Sequence, residues 1–188
     1  LGRALTGAML SAAVLPVGQR VNICWKYKGS VKTIVVDAGQ DGTVRSFISP
    51  HQIGEPENLT ELYGDLGDVQ TVISQDGKIL NSGTAPVSLQ DVAADLAYYH
   101  CVSDQVETGF SALIGFNTDP ANPIKICHGW MLQALPDCDL ELFDHVRRRL
   151  DTPAFHELLN EHAHLDEVAA FLTKKEPGFE GVHSETCP

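Results

Sequence analysis

The chain has 188 residues, which suits one domain plus an appended segment. With 43% hydrophobic and 20% charged residues it can build a sizeable core, which excludes bulk disorder. Its formal net charge of −12, from 25 acidic and 13 basic residues, argues against a nucleic-acid partner and an anionic membrane surface, since both reward basic surface.

Leu1 to Leu15 predicts an apolar helix, with Leu5, Met9 and Ala12 or Ala13 at helical spacing, Pro16 as its stop, and small residues that would allow close packing against a sheet or a second helix. The run has no basic leader and is shorter than the roughly 18–20 apolar residues of a membrane span, so it reads as part of a domain that begins before Leu1. The period then changes to two. Val21, Ile23, Trp25 and Tyr27 alternate with polar residues, Val31 to Asp37 continues as a strand, and Gly39 to Gly42 turns the chain into Thr43 to Ile48. Pro50 to Gly67 reads as a loop with one short helix.

A second hairpin joins Val69–Ser74 to Lys78–Asn81 around Asp76-Gly77. Ser88 is the expected cap of a helix, with Asp91 at the capping-box position and Val92, Leu96 and Tyr99 along one face. A third hairpin pairs Phe110, Ala112, Ile114 and Phe116 with Ile124, Ile126, His128 and Trp130. Beyond Pro136 the chain turns helical: Leu140 to Leu150 is one helix, Thr152-Pro153 starts another, and Leu165 to Lys175 forms a third. Strands early and short helices late predict an α+β fold, antiparallel hairpins and a meander packed with helices. The expected division is a body over 1–136 and a helical linker and tail over 137–188.

The chain carries Cys24, Cys101, Cys127, Cys138 and Cys187. An odd number at wide spacing does not form a secreted disulfide framework and points to a reducing compartment, the cytoplasm. There is no phosphate-binding glycine loop, no dinucleotide fingerprint and no Gly-x-Ser-x-Gly elbow. His156-Glu157-Leu158-Leu159-Asn160 lacks the second histidine of a zinc protease, and His162 and His164 would diverge on a helix. His100-Cys101 and Cys127-His128 are neighbours only in sequence. A Cys–His hydrolase needs contact in space, so it stands as an alternative to a protein that binds rather than catalyses. A structural or interaction domain is a further alternative.

Three segments resemble the redox-regulated heat shock protein 33 family, the 33 kDa chaperonins. One is Ala4-Leu5-Thr6-Gly7 through Leu15 with the strand-turn-strand from Arg20 to Ile48. The next is Asp91 to Cys101, with Tyr98-Tyr99, followed by Asp104-Gln105-Val106-Glu107-Thr108 and the strand to Phe116. The last is Gly129-Trp130-Met131-Leu132-Gln133-Ala134-Leu135-Pro136, similar to the family's Gly-Gly-x-x-x-Gln-x-x-Pro with Trp130 in place of the second glycine.

The resemblance implies a cytosolic holdase that captures unfolding proteins under oxidative stress without ATP, active as a homodimer, and not an enzyme. By analogy about forty residues, including a first strand, precede Leu1. It also implies a C-terminal zinc module with a Cys-x-Cys and a later Cys-x-x-Cys, whose oxidation releases zinc and unfolds the linker. Neither motif occurs in these 188 residues, so no cofactor is expected here, and Cys187 is the only redox candidate. Client capture needs adaptable apolar surface. The candidates are Phe143, Val146 and Leu150, then Phe155, Leu158 and Leu159, then Val168, Phe171 and Leu172. At rest these faces are expected to dock on the sheet; for capture they must undock.

Overall fold

A computed structural model describes residues 1–160 and 164–173. The chain divides into two compact units, Leu1–Gln133 and Ala134–Pro188.

In the first unit, helix α1 (Gly2–Ala13) is followed by strands β1 (Gln19–Tyr27), β2 (Thr33–Gly39) and β3 (Val44–Ser49), a short helix α2 (Leu59–Tyr63), and strands β4 (Gly67–Gln75) and β5 (Lys78–Val87). Helix α3 (Val92–Val102) and strands β6 (Thr108–Phe116) and β7 (Ile124–Gln133) complete it. The first five strands form one antiparallel sheet in the order β3-β2-β1-β4-β5; β6 and β7 form a separate hairpin. This is the α+β architecture that the pattern of strands and helices predicts.

The alternation in β1 decides which face is buried. Val21, Ile23, Trp25 and Tyr27 point to one side and are buried, joined by Ile34, Val36 and Ala38 from β2 and by Val69, Ala85 and Val87 from β4 and β5. Helices α1 and α3 complete this core. Asp76 and Gly77 both have positive φ (50° and 76°), the pair of left-handed residues that a two-residue hairpin turn demands. Strand β5 runs on to Val87 rather than stopping near Asn81. It includes Pro86, which the sheet accommodates because β5 is an edge strand.

Three expectations need correction. Helix α1 buries Ala4, Gly7, Ala8, Ser11 and Ala12, whereas Met9 is exposed and Leu5 only partly buried. The small residues face inward because they let the helix backbone approach its neighbours: a Cβ on Gly7 would already lie 3.1 Å from Leu96. Asp91, not Ser88, caps α3, its carboxylate accepting from the amides of Ala93 and Ala94 at 2.9 and 3.0 Å.

The third correction falls in the second unit. The helix expected over 140–150 ends earlier: α4 spans Leu140–Arg147 and passes into a 3-10 turn, Arg148–Asp151. Thr152 precedes Pro153 and is extended (ψ 144°), as the proline ring requires of the residue before it, so the helix cannot continue through it. Helix α5 (Pro153–Asn160) starts at Pro153, with the Thr152 hydroxyl accepting from the Phe155 amide, and α6 spans Leu165–Thr173. Among the described helices none is long and apolar enough to cross a membrane.

Candidate functional site

The thiols and imidazoles come first, because a Cys–His nucleophile was one of the alternatives. The Cys127 Sγ lies 3.2 Å from the Thr6 hydroxyl. The Cys101 Sγ faces the Glu107 carboxylate at 3.6 Å and receives the Thr108 amide at 3.4 Å. Cys24 sits half-buried on β1, where burial pushes its thiol pKa up and disfavours the nucleophilic thiolate. Cys138 bonds the Asp139 carbonyl beside α4. Among the described residues no group of three or more His, Cys, Asp or Glu side chains could hold a metal. These residues do not fit a zinc–thiolate centre. Cys187 and His162 lie outside the described residues.

His100 finds partners that sequence reasoning missed. Its Nδ1 pairs with Asp104 at 2.7 Å and its Nε2 with the Ser11 hydroxyl at 3.1 Å. The order Ser–His–Asp is that of an acyl-transfer relay. Here the serine is only 4% exposed and its hydroxyl also bonds the Gly7 carbonyl one turn back. A substrate has no route to it, so the relay acts as a polar bridge from α1 to α3. The i, i+4 spacing of His100 and Asp104 was its readable signal.

A second buried polar element lies under α3. Asp95 is fully buried, accepting from the Tyr27 hydroxyl at 2.6 Å and the Leu89 amide at 3.0 Å. Burial raises the pKa of Asp95. The same burial, with the bond to Asp95, raises that of Tyr27. The signal in the sequence was a carboxylate inside the apolar stripe Val92, Leu96 and Tyr99.

The nine candidate client-binding residues all lie in the second unit. Val146, Leu150, Phe155, Leu159, Val168 and Leu172 are buried, none more than 5% exposed. Phe143, Leu158 and Phe171 are half-buried, and the rings of Phe155 and Phe171 meet at 5.8 Å. The spacing places one apolar face on each short helix. Polar bonds frame these faces. Asp139 caps α4 through the amides of Glu141 and Leu142. Asp144 binds both Arg147 and Arg148, and the Arg147 bond, ahead of the Arg148 one, holds its carboxyl pKa below the usual range. Arg149 donates to the Leu172 carbonyl of α6 and bonds His145 Nε2 at 3.1 Å.

An α+β unit is followed by a unit of short amphipathic helices. The Hsp33 protein family matches residues 1–183, and the chain belongs to that family. Curated relatives named 33 kDa chaperonin include those of Geobacter sulfurreducens (28% identical, 92% of this chain, 58% of the relative), Pelobacter propionicus (32%, 86% and 55%) and Clostridium botulinum (31%, 97% and 62%). The crystal structure of the 33 kDa chaperonin of Thermotoga maritima superposes with a TM-score of 0.80 at 24% identity, covering 95% of this chain and 63% of that one. The chain thus spans less than two thirds of the length of each of these relatives.

Proposed function

We propose that this chain is the body and helical segment of an ATP-independent holdase that captures unfolding proteins on the apolar faces of α4, α5 and α6. The observation that carries this reading is the second unit itself. Three helices of eight, eight and nine residues hold five buried apolar side chains, and the 3-10 turn after α4 adds Leu150. Helices this short are marginal alone and owe their stability to packing. The faces that stabilise them when closed are the surface a client would bind when they open. Family membership supports the chaperone class, and the named relatives are chaperonins.

On this reading the protein acts in the cytoplasm as a homodimer and is not an enzyme. Thiolate ligation of zinc would supply redox control in such a family, because oxidation removes the ligands and unfolds what the metal holds. These residues lack both paired-cysteine motifs, so that switch would have to lie outside them. The Cys–His hydrolase is not favoured, since Cys127 meets Thr6 and His100 is committed to Ser11 and Asp104.

Light scattering of a thermally unfolding client tests the proposal. The purified chain, warmed enough to open the second unit, is expected to suppress scattering without ATP. Phe155→Asp together with Leu159→Asp, which opens the faces but makes them polar, is expected to abolish suppression. Scattering unaffected by the wild-type chain at several-fold molar excess would refute the reading.

A further inference from the structure

Three consecutive arginines end the α4 segment, and they do different work. Arg147 and Arg148 bind Asp144, three and four residues back, and so act within the segment. Arg149 reaches out of it, to a carbonyl 23 residues further on. That carbonyl belongs to Leu172 of α6, one residue before Thr173. The other arm of the same guanidinium meets His145 Nε2 on α4. Since a guanidinium only donates, the imidazole accepts through its Nε2 lone pair. One side chain therefore ties α4, the 3-10 turn and the end of α6 together. The residues flanking the tie are the apolar ones: Leu150 follows Arg149 in the chain, Leu172 carries the carbonyl, and both are buried.

We propose that Arg149 is the latch that keeps the apolar faces of α4, α5 and α6 closed, an inference that rests on those faces being the client-binding surface. Packing alone is non-directional and lets short helices shift against one another. The forked hydrogen bonds fix the end of α6 at one position over the 3-10 turn. Releasing them frees α6 to move away from the 3-10 turn, with its Val168 and Leu172 face.

The test uses the whole chain with Arg149→Met, which keeps the aliphatic stem but makes neither bond, and Arg149→Lys, which keeps the charge and can reach one partner. Amide hydrogen exchange reads the latch. In R149M the α6 amides are expected to exchange about tenfold faster, the loss of charge-assisted bonds at one site, with a smaller change in R149K. Both tryptophans, Trp25 and Trp130, lie in the first unit, so unchanged emission shows that unit intact. Client suppression is expected at lower temperature or several-fold lower concentration. Exchange in α6 within about twofold of wild type would overturn the latch. Faster exchange with unchanged client capture would leave the latch standing and sink the client-binding reading instead. If R149M disturbs the tryptophans, R149K decides, and unchanged α6 exchange in it overturns the proposal.

Discussion

Asp95 is the residue whose replacement says most about the first unit. Its two carboxylate oxygens serve two buried donors, the Tyr27 hydroxyl and the Leu89 amide. Asp95→Ala strands both donors. At about 1–3 kcal/mol for each buried donor left without a partner, the loss comes to roughly 2–6 kcal/mol, a large share of a typical domain's stability. Tyr27→Phe with Asp95→Leu removes one donor along with the acceptor, so the double variant is expected to lose less than the sum of the two single changes.

The same site sets a pH dependence. Burial raises the folded-state pKa of Asp95 above its unfolded value. The folded chain then takes up the proton first as pH falls, so this group's contribution is greatest below the unfolded pKa and declines as pH rises through the folded pKa. Asp95→Asn cannot titrate and has lost that decline. Relative to wild type, D95N is expected to be more favourable at pH 7.5 than at a pH below the ordinary carboxylate range, although one carbonyl oxygen now serves where two carboxylate oxygens did. Urea unfolding followed by tryptophan emission measures this, because the Trp25 indole donates to the Val92 carbonyl at the start of α3. A wild-type–D95N difference that does not change with pH, or an alanine variant costing under about 1 kcal/mol, would refute the reasoning.

Two other outcomes follow from the packing. A Cβ on Gly129 would lie 2.0 Å from the Thr6 Cγ2, so Gly129→Ala is expected to cost about 1–3 kcal/mol by overpacking; Thr6→Ser, which removes that methyl, should recover part of the loss in melting experiments. Asp91→Ala is expected to cost about 1–2 kcal/mol as the true cap of α3, whereas Ser88→Ala should change urea stability by less than about 0.5 kcal/mol; the reverse ranking would restore Ser88 as the cap.

Much of the fold was legible in the chain because its signals are local. The alternation in Val21, Ile23, Trp25 and Tyr27 identified the buried face of β1, and Asp76-Gly77 identified the turn between β4 and β5 from the φ angles only such residues adopt readily. Thr152-Pro153 marked the start of α5 through proline's own geometry. Where a local rule allowed two answers, tertiary packing chose. Helix α1 offered a stripe of large residues and a stripe of small ones, and close approach to its neighbours selected the small one. The local pattern offered Ser88 as the cap, but the chain entering α3 brought Asp91 within reach of the free amides while its carboxylate also met Arg3.

The candidate site divides in the same way. The amphipathic spacing of Val146, Leu150, Phe155, Leu159, Val168 and Leu172 picked out six side chains that are buried, because a helix of fixed period brings residues three and four apart to one face. The absence of a Cys-x-Cys and a Cys-x-x-Cys from these residues was likewise a matter of reading the sequence. What the sequence could not supply were the pairings between residues far apart in the chain. Ser11 with His100, Tyr27 with Asp95, and Arg149 with the Leu172 carbonyl are separated by 89, 68 and 23 positions. Hydrogen bonds of that kind depend on where the fold brings donors and acceptors together, and no one-dimensional period encodes them. The sequence by itself determined the elements, their apolar faces and the missing cysteine motifs; only the tertiary structure decided which polar groups fasten those elements to one another.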